Sequence, residues 1–234
     1  MRILFLHGSW VGPWYWEGWV RLARERGHRA QALDFTGRWR AGDGIEELVG
    51  DVRRELGGGA VLVGHSFGGL VAQHVAARGG VQALVLVAPV SPRGMVDVPL
   101  RFQVRMARSV PSILLGRAFA LRPGAARRLF LTRLDEETVQ SAVERYTPGS
   151  GRAMRQAMLR RPRLDQAAIR CPVLVVAGEH DPFAPPRLLR RLAGRLGADF
   201  HEAPGAGHTV MLAAGSEATA ARVLDWVEER AAGG

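Results

Sequence analysis

The chain has 234 residues, which is enough for one sizeable hydrophobic core and an inserted segment. Its 47% hydrophobic and 7% aromatic content is ordinary for a globular protein, and no apolar run is long enough to span a bilayer, which argues against stable membrane insertion. The single cysteine, Cys171, excludes an internal disulfide framework. Because the sequence also begins without a signal-peptide pattern, we expect a cytoplasmic protein.

The positive charge is concentrated in the middle of the chain. The formal net charge is +10, and residues 91–165 contain 15 arginines but only 6 aspartates and glutamates. No DNA- or RNA-binding motif accompanies this surplus, so we do not expect a nucleic-acid partner. Two interpretations stay open: a solvated arginine-rich surface, or a surface that attracts an acidic substrate or partner.

Short apolar runs alternate with amphipathic stretches along most of the chain. Runs that are apolar on both faces and are separated by helices are typical of a parallel sheet covered by helices on both sides. We therefore predict an α/β fold with about six mostly parallel strands. The predicted strands are residues 3–6, 30–33, 60–63, 83–87, 173–177 and 199–202, and the predicted helices are residues 14–26, 44–56, 67–78, 186–196 and 216–230.

The alternation of strands and helices breaks between Ala88 and Arg170. This segment is rich in proline and contains short helical patterns but no convincing strand. We predict a core formed by residues 1–90 and 166–234, with residues 91–165 inserted as a helical cap over the strand ends, where open α/β sheets bind ligands. The predicted cap helices are residues 104–115, 125–131, 136–145 and 152–159.

A G-x-S-x-G pattern formed by Gly64, Ser66 and Gly68 lies between the third predicted strand and the next helix. Taken alone, the pattern is also compatible with a plain glycine-rich turn. A sharp strand-to-helix turn would, however, expose the serine hydroxyl, and small neighbours would relieve the crowding that such a turn causes. The helix that begins at Phe67 would direct its free N–H groups at the same place.

A serine nucleophile needs a histidine base and a carboxylate that orients the base. His208 lies in a glycine-rich loop after the last predicted strand, and Asp181 follows the fifth. The order serine, aspartate, histidine, each after a separate strand, favours Ser66 as nucleophile, Asp181 as the orienting acid and His208 as base. The rivals are Glu179 and Asp34 as acids and His180 as base.

These motifs together resemble the α/β-hydrolase superfamily, in which the same order of residues is found. The resemblance covers the chain except the predicted cap. The segment 7–10, at the end of the first strand, resembles the oxyanion loop of that family. The resemblance implies that the backbone N–H groups of Ser9 and Phe67 form the oxyanion hole.

The segments 7–16 and 207–212 resemble more closely the branch that holds the plant methyl esterases and hydroxynitrile lyases. The lyases carry a threonine at the position of Gly8 and a lysine at the position of Thr209, and this chain has no lysine at all. The resemblance therefore implies an esterase and argues against a cyanohydrin lyase. The arginine-rich cap matches no specific family, so the substrate is not implied.

Trp10 adjoins the expected oxyanion donor and Phe67 follows the nucleophile, so both are candidates for the substrate pocket. The adjacent residues 179–181 do not have the spacing of a metal site, and the glycines around Ser66 fit neither a phosphate-binding loop nor a dinucleotide fingerprint. We therefore predict that no metal and no cofactor is required.

The sequence leads to one main hypothesis for function and two alternatives. The main hypothesis is a serine hydrolase that cleaves carboxylic esters of small molecules through an acyl-enzyme intermediate. The first alternative keeps this chemistry but acts on an anionic acyl substrate, as a thioesterase, acyltransferase or lactonase would. The second alternative is a non-catalytic ligand-binding protein built on the same fold.

Overall fold

The computed structural model describes residues 1–92, 100, 104 and 106–231. Its centre is one six-stranded sheet with the order β2-β1-β3-β4-β5-β6, in which every neighbouring pair is parallel. The sheet confirms the predicted fold class, and the strands differ from the predicted ones by one or two residues at their ends. They are β1 (Arg2–Leu6), β2 (Arg29–Leu33), β3 (Ala60–His65), β4 (Val81–Val87), β5 (Val173–Gly178) and β6 (Asp199–Ala203).

The helices pack on both faces of the sheet, and several others lie in the described part of the long connection between β4 and β5. Four of them precede β4: α1 (Glu17–Glu25), α2 (Thr36–Ala41), α3 (Ile45–Leu56) and α4 (Phe67–Ala76). The connection contains α5 (Val110–Leu114), α6 (Pro123–Leu129), α7 (Glu136–Glu144) and α8 (Gly151–Met158). The last two are α9 (Pro186–Leu196) and α10 (Ser216–Ala231). Helix α2 was not predicted, and part of the predicted helix at residues 104–115 lies outside the described residues.

Alternation of side chains along the strands explains the two cores. In β1, Leu4 and Leu6 belong to a cluster with residues of α3, α4 and α9, whereas Ile3 and Phe5 belong to a second cluster with residues of α1 and α10. Successive side chains of a strand point to opposite faces, so a strand that is buried on both faces must be apolar throughout. This requirement produces the continuous apolar runs seen in the sequence.

The connection between β4 and β5 has its own apolar cluster, which Trp10 from the core joins. Two polar contacts also tie it to the core: Ser150 Oγ donates to the carbonyl of Asp43 at 2.6 Å, and Ile45 N donates to Gln156 Oε1 at 2.7 Å. The division of the chain into a core and an inserted cap stays a prediction. None of the described helices combines the length and the apolarity that crossing a membrane requires.

Candidate active site

Ser66 occupies a strained turn between β3 and α4. Its backbone has φ 52° and ψ −117°, a conformation that residues other than glycine rarely adopt. A Cβ atom at Gly64 would lie 2.7 Å from the carbonyl oxygen of Gly68, and one at Gly68 would lie 2.5 Å from that of His7. The glycines of the pattern are therefore required by close backbone packing, and the turn that they permit carries the serine at its tip.

The structure brings together Ser66, Asp181 and His208. The Nε2 atom of His208 lies 3.1 Å from Ser66 Oγ, and its Nδ1 atom lies 2.8 Å from Asp181 Oδ2. Asp181 is 3% exposed and His208 is 2% exposed. Because a carboxylate only accepts hydrogen bonds, Nδ1 carries the proton, and Nε2 is left to accept the hydrogen of the serine hydroxyl.

Asp181 is held by its own loop. Its other oxygen, Oδ1, accepts hydrogen bonds from the backbone N–H groups of Phe183 at 2.7 Å and Ala184 at 3.0 Å. These bonds fix the carboxylate plane and leave Oδ2 for His208. A buried carboxylate with three donors is a favourable partner for a histidine that gains a positive charge during a reaction.

The rival residues lie in other contacts. Glu179 accepts a hydrogen bond from the backbone N–H of Gly205, and His180 lies 3.8 Å from that same Glu179 at the surface. Asp34 accepts from the backbone N–H of Thr36. Of the candidates named from the sequence, only Asp181 and His208 therefore have hydrogen bonds that lead to Ser66.

The ring of His208 is enclosed by three other rings. The ring centroids of His65, Phe183 and Phe130 lie 4.8, 5.0 and 5.1 Å from that of His208. His65 donates from Nε2 to the backbone carbonyl of His208 at 3.2 Å, and burial lowers its pKa well below the usual value, so that it stays neutral. The two phenylalanines were not identified from the sequence, because no local pattern relates them to residue 208.

The loop after β1 lies directly beside the serine. A Cβ atom at Gly8 would come within 3.1 Å of Ser66 Cβ and 3.2 Å of His65 Nδ1. His7 fixes this loop, since its Nδ1 donates to the carbonyl of Gly8 and its Nε2 accepts from the backbone N–H of Phe35, both at 2.9 Å. Ser9, whose backbone N–H is an oxyanion candidate, thus follows a residue in contact with the serine.

A narrow pocket opens at Ser66, with a cavity volume of about 10 Å³. Trp10 lies in the wall, whereas the ring of Phe67 faces the core, 2% exposed and edge-on to Trp39 at 5.3 Å. The part of Phe67 available to the site is its backbone N–H, at the first residue of α4. The pocket is lined by Ser9, Trp10, Val11, Tyr15, His65, Ser66, Phe130, Tyr146 and His208.

Comparison with known proteins defines the class. The model of the Alpha/beta hydrolase family matches residues 3–222, and the chain therefore belongs to this family. No curated protein matches the sequence.

Solved structures with the same fold include a monoacylglycerol lipase from Paleococcus ferrophilus (22% identity, TM-score 0.76, covering 98% of this chain and 94% of that one). A methylesterase from Arabidopsis is 16% identical with a TM-score of 0.77, over 98% of this chain and 99% of that one. A thermophilic esterase from Thermogutta terrifontis is 21% identical with a TM-score of 0.72, over 98% and 90%. Plant methylesterases are thus among the structural neighbours.

Proposed function

We propose that the protein is a serine hydrolase that cleaves small carboxylic esters through an acyl-enzyme intermediate. The observation that carries the proposal is the continuous set of contacts from Asp181 through His208 to Ser66, at 2.8 and 3.1 Å. A hydroxyl is a weak nucleophile until a base accepts its proton, and this arrangement supplies both the base and the group that orients it. The esterases and the lipase among the structural neighbours support the same chemistry.

In the proposed reaction, His208 Nε2 removes the hydroxyl proton of Ser66 while Oγ attacks the ester carbonyl carbon. The carbonyl oxygen becomes negative and accepts hydrogen bonds from the backbone N–H groups of Ser9 and Phe67. Removal of one such donor costs roughly 3 kcal/mol in a serine protease of another fold. The tetrahedral intermediate collapses when the protonated His208 gives its proton to the leaving alcohol. A water molecule then attacks the acyl-enzyme with His208 again as base, and Ser66 is regenerated.

The size of the pocket favours small substrates. Its cavity volume of about 10 Å³ is far below the roughly 300–1,000 Å³ typical of ligand sites. No arginine is among the residues that line it in the described part of the chain, so no contact there favours an anionic acyl group. The narrow pocket and its lining without arginine therefore favour short neutral esters over large or anionic ones.

Two features of the site argue against cyanohydrin cleavage. A side chain at Gly8 would crowd both Ser66 and His65, so the position leaves no room for a threonine. Thr209 donates its hydroxyl hydrogen to the carbonyl of Phe130 at 2.9 Å and provides no positive charge beside His208. Both features favour hydrolysis.

The experiment that tests the proposal combines turnover with active-site labelling. The wild-type protein should release nitrophenol from short nitrophenyl esters and should react with one equivalent of an organophosphonate. Ser66→Ala should do neither, whereas Ser141→Ala, a serine substitution on the exposed part of α7, should match the wild type. Labelling of Ser66→Ala would refute the assignment of the nucleophile. Labelling at Ser66 without turnover of any ester would favour the ligand-binding alternative.

A further inference from the structure

Three hydroxyl groups from distant parts of the chain form a row beside the candidate site. The Tyr15 hydroxyl oxygen lies 3.2 Å from that of Tyr146 and 3.5 Å from Thr209 Oγ1. Thr209 Oγ1 in turn lies 2.9 Å from the backbone carbonyl oxygen of Phe130. Tyr15 lies in the segment between β1 and α1, and Tyr146 lies in the segment after α7. Thr209 directly follows His208 in the sequence.

The direction of this row follows from counting hydrogens. A carbonyl oxygen only accepts hydrogen bonds, so Thr209 donates its single hydroxyl hydrogen to the backbone carbonyl oxygen of Phe130. Tyr15 must then donate to Thr209, and Tyr146 must donate to Tyr15, if all three contacts are to be hydrogen bonds. If Tyr15 instead donated to Tyr146, no hydrogen would lie between the oxygen atoms of Tyr15 and Thr209. One of the three hydrogen bonds would then be lost.

The hydroxyls keep their hydrogens at neutral pH. Burial raises the pKa of Tyr15, and it raises the pKa of Tyr146 well above the usual value for a phenol. Both side chains are therefore neutral, and the orientation that keeps all three hydrogen bonds runs from Tyr146 to the carbonyl of Phe130. Its open end is the Tyr146 oxygen, which has given its hydrogen away and retains lone pairs that can accept.

The two tyrosines of the row are part of the candidate site. Tyr15 and Tyr146 both line the pocket that contains Ser66, and the ring of Tyr15 lies 5.7 Å from that of His65. The backbone N–H of the next residue, Thr147, donates to the carbonyl of Trp10 at 2.8 Å. This bond holds Tyr146 against the loop that carries the oxyanion candidate, so the phenol is placed by the fold.

We propose that the Tyr146 hydroxyl oxygen is a substrate subsite that accepts a hydrogen bond, and that it selects esters carrying a hydroxyl group over unsubstituted and oxo-substituted esters. The inference rests on the proposed function, because it concerns a substrate bound at Ser66. A hydroxyl on the ester satisfies the unfilled acceptor in a pocket whose walls are otherwise largely aromatic. A keto oxygen at the same place cannot donate a hydrogen bond to Tyr146, because it is itself only an acceptor.

The first test compares substrates of similar size in the wild-type protein. The specificity constant kcat/KM should be roughly tenfold higher for methyl 3-hydroxybutyrate than for methyl butyrate, the worth of one hydrogen bond. Methyl 3-oxobutyrate should show no such preference. A second pair, 2-hydroxyethyl butyrate against propyl butyrate, tells whether the hydroxyl is recognised on the acyl or on the alcohol side. If neither hydroxyl ester is preferred, or if the oxo ester gains as much as the hydroxyl ester, the proposal is wrong.

The second test changes the row. Tyr146→Phe removes the acceptor, so the ratio of kcat/KM for the hydroxyl ester to that for the plain ester should fall to about one. General damage cancels in this ratio. Tyr15→Phe removes the oxygen that accepts the hydroxyl hydrogen of Tyr146, so this hydrogen can turn to the pocket. Because a keto oxygen can accept it, kcat/KM for methyl 3-oxobutyrate should rise relative to that for methyl butyrate. A hydroxyl preference that is unchanged in Tyr146→Phe overturns the proposal.

A binding measurement separates this inference from the proposed function. Calorimetry with the Ser66→Ala protein, which cannot form an acyl-enzyme, should give tighter binding of methyl 3-hydroxybutyrate than of methyl butyrate. The difference should disappear when Tyr146→Phe is added. This outcome would support the subsite even if the wild-type protein hydrolyses no ester. Equal binding, or no binding of either ester, would overturn the subsite even if ester hydrolysis is observed.

Discussion

Asp181 and His208 contact each other through a 2.8 Å hydrogen bond in a place that solvent barely reaches. The other oxygen of Asp181 is already occupied by two backbone N–H groups. An asparagine at this position has one accepting oxygen, so it could accept hydrogen bonds either from the two backbone N–H groups or from His208, but not from both. If its oxygen accepted from the backbone, its NH₂ group would face His208 and force the imidazole into the wrong tautomer.

We therefore expect Asp181→Asn to lower kcat for a short nitrophenyl ester by up to about four orders of magnitude while the protein stays folded. The matched control is Glu179→Gln, in the same loop, where a glutamine can still accept from the backbone N–H of Gly205. The control should retain activity within about twofold of the wild type. Equal losses in the two variants would mean that the loop, and not the buried carboxylate, is what matters.

Gly8 provides a steric test of the loop beside the serine. A Cβ atom there would lie 3.1 Å from Ser66 Cβ and 3.2 Å from His65 Nδ1, closer than side chains normally approach. We expect Gly8→Ala to shift Ser66 and to lower kcat/KM by roughly tenfold to a hundredfold, since small displacements of reacting groups are costly. Steady-state kinetics on a nitrophenyl ester would measure the effect.

The control for this variant is Gly18→Ala on α1, where a Cβ atom would meet no atom within 4 Å. Alanine leaves the unfolded chain fewer conformations than glycine does, so this variant should unfold at a slightly higher temperature and keep full activity. Wild-type kinetics in Gly8→Ala would show that the loop after β1 can move to accommodate the added Cβ atom. The short distances from position 8 to Ser66 and His65 would then have no effect on activity.

The sequence was sufficient for the parts of the molecule that repeat a simple period. Strands buried on both faces are apolar throughout, so all six were found, with errors only at their ends. The three residues that meet at the site were named because each follows its own strand, and parallel strands deliver their ends to one edge of the sheet. Helix α2 was missed, because its six residues are too few to show a helical period.

Contacts between distant segments could not be predicted. Phe130 packs on the ring of His208, and Tyr15 contacts Tyr146 across 131 residues of sequence, but neither pairing leaves a local pattern. Phe67 illustrates a further limit. Its position next to the candidate nucleophile suggested a ring in the pocket, whereas the direction of the side chain at the start of α4 turns that ring to Trp39 in the core.

The arginine surplus leads to a prediction about ionic strength. The excess charge lies at residues 91–165, and several of these arginines already contact carboxylates, such as Arg127 with Glu136 and Arg145 with Glu17. For a neutral short ester we expect kcat/KM to change by less than about twofold between low and high salt, because exposed charges are screened and a neutral substrate is not attracted. A steep fall with salt for an ester of an acidic alcohol or acid would revive the anionic-substrate alternative.

His7 links the loop after β1 to the stability of the whole protein. It is fully buried, and burial lowers its pKa to about 4 from an ordinary value of 6.5. Its Nε2 atom accepts a hydrogen bond from the backbone N–H of Phe35, so a proton there would both break that bond and leave a charge without water. The folded protein therefore strongly prefers the neutral ring.

Between pH 6.5 and about 4, the unfolded chain binds a proton at His7 that the folded protein does not. The free energy of unfolding must then fall as the pH is lowered through this range, and His7 alone should account for roughly 2 kcal/mol between neutral pH and about pH 4.5. Denaturant unfolding at several pH values measures this slope. In His7→Gln, the amide oxygen can still accept a hydrogen bond from the backbone N–H of Phe35, but the side chain does not titrate. The slope of the unfolding free energy against pH should then correspond to uptake of up to one proton fewer on unfolding. Parallel stability curves for the two proteins would show that His7 does not carry the effect.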